Sequence, residues 1–151
     1  MKTILTPVDF SSATRSVLDA SIDLARGTGA RVVLLHTVQP PVITTDYGLT
    51  ADLLSETMSL TETGARKQLE HLQKILADKG IPAGSRLTYG FAAGNIVEHA
   101  RKLRAAYIVL GSHGHTAVYD LLVGSTTHAV LKKAPCPVLV VPPAPKSKLR
   151  K

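Results

Sequence analysis

Apolar residues fall along the chain in short runs that alternate with longer stretches at helical spacing, the pattern of β-α-β units laid over a parallel sheet. The first run, Lys2 to Val8, places Ile4, Leu5 and Val8 in a strand that leads into Asp9. Ser11 or Ser12 then offers a helix N-cap, because a short hydroxyl side chain can accept a bond from an early helical N–H. Val17, Leu18, Ile22 and Ala25 recur at spacings of three and four, which predicts a helix from about Ser12 to Arg26, stopped by Gly27-Thr28-Gly29.

The second strand, Arg31 to Val38, is apolar without alternation, as a central strand covered on both faces should be. Pro40-Pro41 ends it and Thr44 to Thr50 has turn character. From Ala51 to Lys79 a long polar stretch carries Leu53, Leu54, Met58, Leu60, Leu69, Leu72, Ile75 and Leu76, a long helix with a break expected near Gly64. Gly80-Ile81-Pro82 closes it. Ser85 to Tyr89 is a short third strand, Ile96, Ala100 and Leu103 mark a helix begun by Gly94-Asn95, and Tyr107 to Leu110 and Val138 to Val141 are strands four and five.

Five parallel strands with right-handed crossovers and one reversal give the order 3-2-1-4-5, a single-domain open α/β sheet with helices on both faces. Strands one and four are then central neighbours, and ligands bind outside the carboxyl ends of strands at such a switch point. The loops after strand one, at Asp9, and after strand four, from Gly111, are therefore the candidate site.

Composition narrows the class. The chain has 151 residues, 44% hydrophobic and 19% charged, enough for one core built from aliphatic residues, since there is no Trp and only two Phe and four Tyr. No apolar run approaches the ~18 residues of a membrane helix, and Ile4-Leu5 is too short for a secretory signal, so a cytoplasmic protein is expected. One cysteine, Cys136, forms no internal disulfide and, between two prolines, reads as a small buried thiol rather than a nucleophile. Of 18 basic residues, Lys146, Lys148, Arg150 and Lys151 lie in the last six positions; without them 14 bases face 11 acids, a net of +3 against the full chain's +7. Residues 144–151 read as a solvated basic tail after a domain spanning 1–143. With no aromatics to stack on bases, nucleic acid is not the expected partner.

After strand four the chain reads Gly111-Ser112-His113-Gly114, then nine residues, then Gly124-Ser125-Thr126 and a helix with Ala129, Val130 and Leu131. Glycines permit close approach of backbone to a bound group, and a helix starting near Ser125 aims free N–H groups and its positive dipole end at an anion, naturally a phosphate. The same residues would equally serve a tight turn and a helix cap. His113, His115 and His128 lack a fixed zinc spacing. Tyr119, Leu121 and Leu122 fit a partner-binding face and helix packing equally well, and Asp120 fits a solvated or capping role better than the positioning of a water.

The segment from Leu110-Gly111-Ser112-His113-Gly114-His115 to Gly124-Ser125-Thr126, ending in Ala134-Pro135-Cys136-Pro137 and the last strand, resembles the universal stress protein family in its ATP-binding branch, with the pattern G-x2-G-x9-G-[ST]. Ile4 to Asp9 is similar to that family's opening strand, so the resemblance covers nearly the whole chain. It implies an adenine nucleotide α-hydrolase-like fold that binds ATP with Mg²⁺. By this resemblance Asp9 accepts the ribose hydroxyls, Val8 and Val38 line the adenine slot with Pro7 in the same set of contacts, and Gly111 and Gly114 approach ribose and phosphates. His113 leans over the phosphate path, and Gly124, Ser125 and Thr126 hold the outer phosphates. A homodimer through Val138–Val141 is also implied, whose open edge would otherwise pair indiscriminately. The chain departs from relatives at Ala106-Tyr107, where many carry an acid, and at His113, whose imidazole would let phosphate affinity fall as pH rises.

There is no G-x4-G-K-[ST] loop and no lysine from Gly111 to Thr126, so hydrolysis is expected to be slow or absent. The preferred expectation is a nucleotide-dependent stress-response switch or sensor acting on a protein partner. A slow ATPase or phosphotransferase on the same site, and a dimeric interaction protein that binds no ATP, are the alternatives.

Overall fold

The computed structural model describes residues 1–40, 51–113 and 123–143. Nine elements follow in chain order: β1 (Thr3–Pro7), α1 (Thr14–Thr28), β2 (Arg31–Val38), α2 (Ala51–Asp78), β3 (Ala83–Tyr89), α3 (Ala92–Lys102), β4 (Tyr107–Gly111), α4 (Ser125–Lys133) and β5 (Val138–Val141). The strands form one parallel sheet in the order β3-β2-β1-β4-β5, as the alternation of elements predicts.

Neighbouring residues of each central strand serve opposite faces, which is why these strands are apolar throughout. Ile4, Val32, Leu34 and Val109 pack against Val17, Leu18 and Ile22 of α1 and Leu69 and Leu76 of α2. Leu5, Val33, Leu35, Ile108 and Leu110 pack against Ile96 and Ala100 of α3 and Val130 of α4 on the other face. Cys136 is partly buried against this second cluster, and burial pushes its thiol pKa up, the environment of an inert structural thiol. No described helix is long and apolar enough to cross a membrane.

Several boundaries differ from the expectation for identifiable reasons. Helix α1 starts at Thr14, and its cap residue is Ala13, with no side-chain cap bond from Ser11 or Ser12. Ser11 is used otherwise: its N–H donates to Asp9 Oδ1 at 3.0 Å, and its Oγ accepts from the Ala13 N–H at 3.3 Å. The helix runs through Gly27 and ends at Gly29, whose φ of 63° is the left-handed cap conformation.

Helix α2 is continuous through Gly64. A glycine inside a helix costs only about 1 kcal/mol relative to alanine, and burial of Ala65, Leu69 and Leu76 in the next three turns outweighs it. Strand β3 begins two residues early, at Ala83. Helix α3 begins at Ala92 rather than at Gly94-Asn95, because Asn95 faces back and its Nδ2 donates to the Tyr89 carbonyl at 2.9 Å. The predicted turn at Thr44–Thr50, the basic tail 144–151, and Gly114, His115, Tyr119, Asp120, Leu121 and Leu122 lie outside the described residues.

Candidate functional site

The strand register opens the site. β1 and β4 pair only at Ile4–Tyr107 and Leu5–Ile108. Beyond that point Thr6 and Pro7 stay with β2, paired with Leu34 and Leu35, while Leu110 and Gly111 stay with β5, paired with Val140 and Val141. The two central strands thus part at their carboxyl ends. A cavity of about 460 Å³ lies there, walled by the ends of β1, β2 and β4 and the amino ends of α1, α3 and α4, with Thr61 of α2 at its side.

Pro7, Val8, Asp9, Val38, Gly111, His113, Gly124, Ser125 and Thr126, which the sequence analysis singled out, all line this one cavity. Gly114 is the remaining candidate and falls outside the described residues. The lining also includes residues the sequence did not mark, among them Thr14, His36, Thr61 and Thr127. Thr127 follows directly on the glycine motif and was within reach of inspection. Nothing in the local pattern marks Thr61, because only the path of α2 over the sheet brings it in.

The β1–β2 wall is held by side chains. The Val8 N–H donates to the Leu35 carbonyl at 2.9 Å and continues the ladder one residue past β1. His36 Nδ1 donates to the Val8 carbonyl at 2.8 Å, which fixes the tautomer with its proton on Nδ1. The His36 ring also packs on Phe10, with centroids 4.3 Å apart and planes tilted by 30°. Phe10 has φ of 60°, a left-handed conformation uncommon for a bulky residue, and it turns the chain sharply after Asp9.

The β4–α4 wall is held by backbone. The Gly124 N–H donates to the Ser112 carbonyl at 2.7 Å, and the Ser112 N–H to the Val141 carbonyl at 2.8 Å. Thr127, buried, donates from Oγ1 to the Gly111 carbonyl at 2.8 Å and ties the first turn of α4 to the end of β4. A Cβ on Gly111 would lie 3.2 Å from the His113 carbonyl oxygen, and one on Gly124 would lie 3.2 Å from that of Ser112. Gly124 has φ of −67°, so close approach rather than backbone freedom demands glycine there. Gly124 caps α4 without any side-chain cap bond, which leaves the first N–H groups of the helix beside the cavity. Ser125 and Thr126 are exposed. Ser112 Oγ lies 3.0 Å from His113 Nδ1.

On the α1 side, Thr14 Oγ1 is buried with no hydrogen-bond partner. Tyr89, at the end of β3, donates from its hydroxyl to Glu62 Oε2 at 2.5 Å, and Arg66 donates to Glu62 Oε1 from Nε at 3.0 Å and Nη2 at 2.7 Å. The bond from Tyr89, and then that from Arg66, hold the Glu62 carboxyl below its ordinary pKa, and the carboxylate in turn raises Tyr89 and Arg66. This clip fixes α2 beside Thr61. Among the described residues no three His, Cys, Asp or Glu side chains gather as a metal site.

Comparison with known proteins agrees with this architecture. A sequence model of the universal stress protein family matches residues 1–142. Universal stress protein YxiE of Bacillus subtilis is 30% identical over 144 residues, covering 91% of this chain and 97% of that one. The solved structure of MJ0577, a universal stress protein of Methanocaldococcus jannaschii, superposes with a TM-score of 0.82 at 30% identity, covering 93% of this chain and 95% of that one. A universal stress protein of Archaeoglobus fulgidus, solved in complex with dAMP, shares the fold with a TM-score of 0.64 at 21% identity, over 93% of this chain and 98% of that one.

Proposed function

The chain belongs to the universal stress protein family, and from that premise we propose that its cavity binds an adenine nucleotide, ATP with Mg²⁺ by preference, and acts as a nucleotide-dependent stress-response switch. The observation that carries the reading is the meeting of a carboxylate, Asp9, with a glycine-bounded helix amino end, Gly124-Ser125, across the gap where β1 and β4 part. Asp9 is an acceptor-only group suited to sugar hydroxyls, and the early N–H groups of α4 are suited to phosphate oxygens. Pro7, Val8 and Val38 supply the apolar surface against which a purine ring would lie, with Gly111, Gly114 and His113 bordering the ribose and phosphates. The complex of the Archaeoglobus fulgidus relative with dAMP supports a ligand of this class.

Mg²⁺ is a hard cation that prefers oxygen ligands and is usually bound through substrate phosphates. The residues present fit that use: the hydroxyls of Ser125 and Thr126 stand at the α4 amino end, and Asp9 is the one carboxylate among the described lining residues. When bound, the ion would neutralise phosphate charge. The chain's own part is to position the nucleotide and to exclude water with the apolar end of the cavity. No lysine or arginine lies between Arg104 and Lys132 to stabilise a transferring phosphoryl group, so turnover is slow at most.

The same reading takes residues 1–143 as the functional domain with 144–151 as a basic extension, places the protein in the cytoplasm, and assembles it as a homodimer along β5. Leu139 supports the last of these, being 43% exposed on that edge strand. The binding test is equilibrium dialysis with ATP and Mg²⁺, together with mass spectrometry of small molecules released on denaturing the fresh protein. Saturable binding and a co-purifying adenine nucleotide are expected; no binding at millimolar ATP overturns the reading. A steady-state phosphate-release rate above control that is lost in both Asp9→Ala and Gly124→Val would replace the switch with an ATPase.

A further inference from the structure

A second, smaller cavity of about 280 Å³ opens between the start of α1 and the middle of α2, lined by Phe10, Thr14, Lys67, Gln68, His71 and Leu72. Its floor is apolar: Phe10 and Leu72 pack on the core cluster that α1 and α2 share, yet both stay only partly buried. Its rim is polar, because Lys67, Gln68 and His71 are exposed on α2. Thr14 also lines the first cavity, so it stands in the partition between the two, and its buried Oγ1 has no partner there. Phe10 borders the second cavity with the ring that stacks on His36, and its backbone holds the left-handed conformation that bulky residues rarely adopt.

The basic residues of α2 divide into two kinds. Arg66 is engaged with Glu62 and Lys74 with Asp78, each across one helical turn. Lys67 and His71 are also one turn apart, but each has the other as its neighbour rather than an acid, and among the described residues neither has a hydrogen bond or an ion pair. Glu70 falls between them in sequence and does not line the cavity. Two basic groups at this spacing repel when both are charged, whereas an anion held between them satisfies both. Lys67 brings one full positive charge, and Gln68 and His71 add N–H donors, the imidazole in either protonation state. We propose that this cavity is a second ligand site, for a small aromatic carboxylate: the carboxylate lies between Lys67 and His71, and the ring lies on Phe10 and Leu72. One formal charge suits a monoanion better than a phosphate dianion. An aromatic floor suits a ring, which gains offset or edge contacts with Phe10. The site is separate from the nucleotide cavity and does not depend on what that cavity holds.

The experiment is amide NMR of the full chain, titrated at neutral pH with benzoate, benzyl alcohol, phenyl phosphate and inorganic phosphate. Benzoate should shift Phe10, Thr14, Gln68, His71 and Leu72 saturably, with a Kd of about 1 mM or tighter. Benzyl alcohol keeps the ring and loses the charge, and should bind at least about fivefold more weakly; inorganic phosphate should leave Phe10 and Leu72 unmoved. Lys67→Gln, at an exposed position that the fold does not use, should weaken benzoate about fivefold and leave benzyl alcohol unchanged. The proposal is overturned by the absence of saturable shifts up to about 20 mM benzoate, by shifts that gather at Asp9, Gly111 and Gly124 instead, or by unchanged benzoate affinity in Lys67→Gln. Phenyl phosphate binding more tightly than benzoate overturns the assignment to carboxylates. None of these outcomes bears on adenine nucleotide binding in the first cavity, which dialysis with ATP scores separately.

Discussion

The two walls of the cavity are built by different means. On the β1–β2 side, side chains do the holding: His36 grips the Val8 carbonyl, Phe10 packs on His36, and Asp9 accepts the Ser11 N–H. On the β4–α4 side the closest contacts are backbone on backbone, with one side-chain tie from Thr127 and with glycines at 111 and 124 because a Cβ would press on a neighbouring carbonyl. The difference teaches where each wall is vulnerable. A wall made of side chains loses one contact when one residue is truncated. A wall made of closely approaching backbone is displaced as a whole when one methyl group is added.

The largest expected effect therefore lies on the backbone wall. Gly124→Val puts a branched side chain against the Ser112 carbonyl and is expected to weaken nucleotide binding by about 100-fold or more, roughly 2.7 kcal/mol, measured by calorimetry. Asp9→Ala, on the other wall, removes one acceptor and should cost about tenfold, close to 1.4 kcal/mol, with the fold unchanged by circular dichroism. Equal losses in the two variants would erase the contrast between the walls.

Thr127→Val tests whether the tie between α4 and β4 is structural. It leaves the part-buried Gly111 carbonyl without its 2.8 Å bond and should lower unfolding free energy by about 1–2 kcal/mol in denaturant titration. Thr14→Val has the opposite sign. Its hydroxyl is buried without a partner, so replacing it with a methyl group should leave stability unchanged or raise it by up to about 1 kcal/mol. A loss as large as that of Thr127→Val would show that Thr14 Oγ1 has a partner of its own.

The smallest effect belongs to the clip at the cavity's side. Glu62 titrates below its ordinary range when folded, so its stabilising contribution is present above the unfolded carboxylate pKa and is lost as pH falls through the folded value. The pair is solvent-exposed, so the melting temperatures of the wild type and Glu62→Gln should differ slightly at pH 7 and converge below about pH 4. A difference that persists at pH 3 would place the effect in packing rather than in the carboxylate.

Much of this was legible before any coordinates. Runs such as Val32–Leu35 and Val138–Val141 read as strands, and their alternation with amphipathic stretches left few topologies, so strand order and the location of the crevice followed. Nine of the ten candidate site residues converge because strand ends and glycine turns are local features with fixed offsets. The errors were at caps and breaks. Ser11 Oγ accepts the Ala13 N–H instead of capping α1, and Gly64 does not interrupt α2, because in each case a tertiary or neighbouring contact outweighs a local preference of about 1 kcal/mol.

The sequence by itself determined the sheet, its order and the identity of the glycine-bounded loop, since periodicity and turn chemistry act over a few residues. Only the tertiary structure decided that Thr61 of a distant helix borders the cavity, that His36 holds the Val8 carbonyl, and that the Glu62–Tyr89 clip fixes α2 in place. Those contacts join residues separated by dozens of positions. Their energies depend on where packed elements come to rest, and no local pattern of residues encodes that.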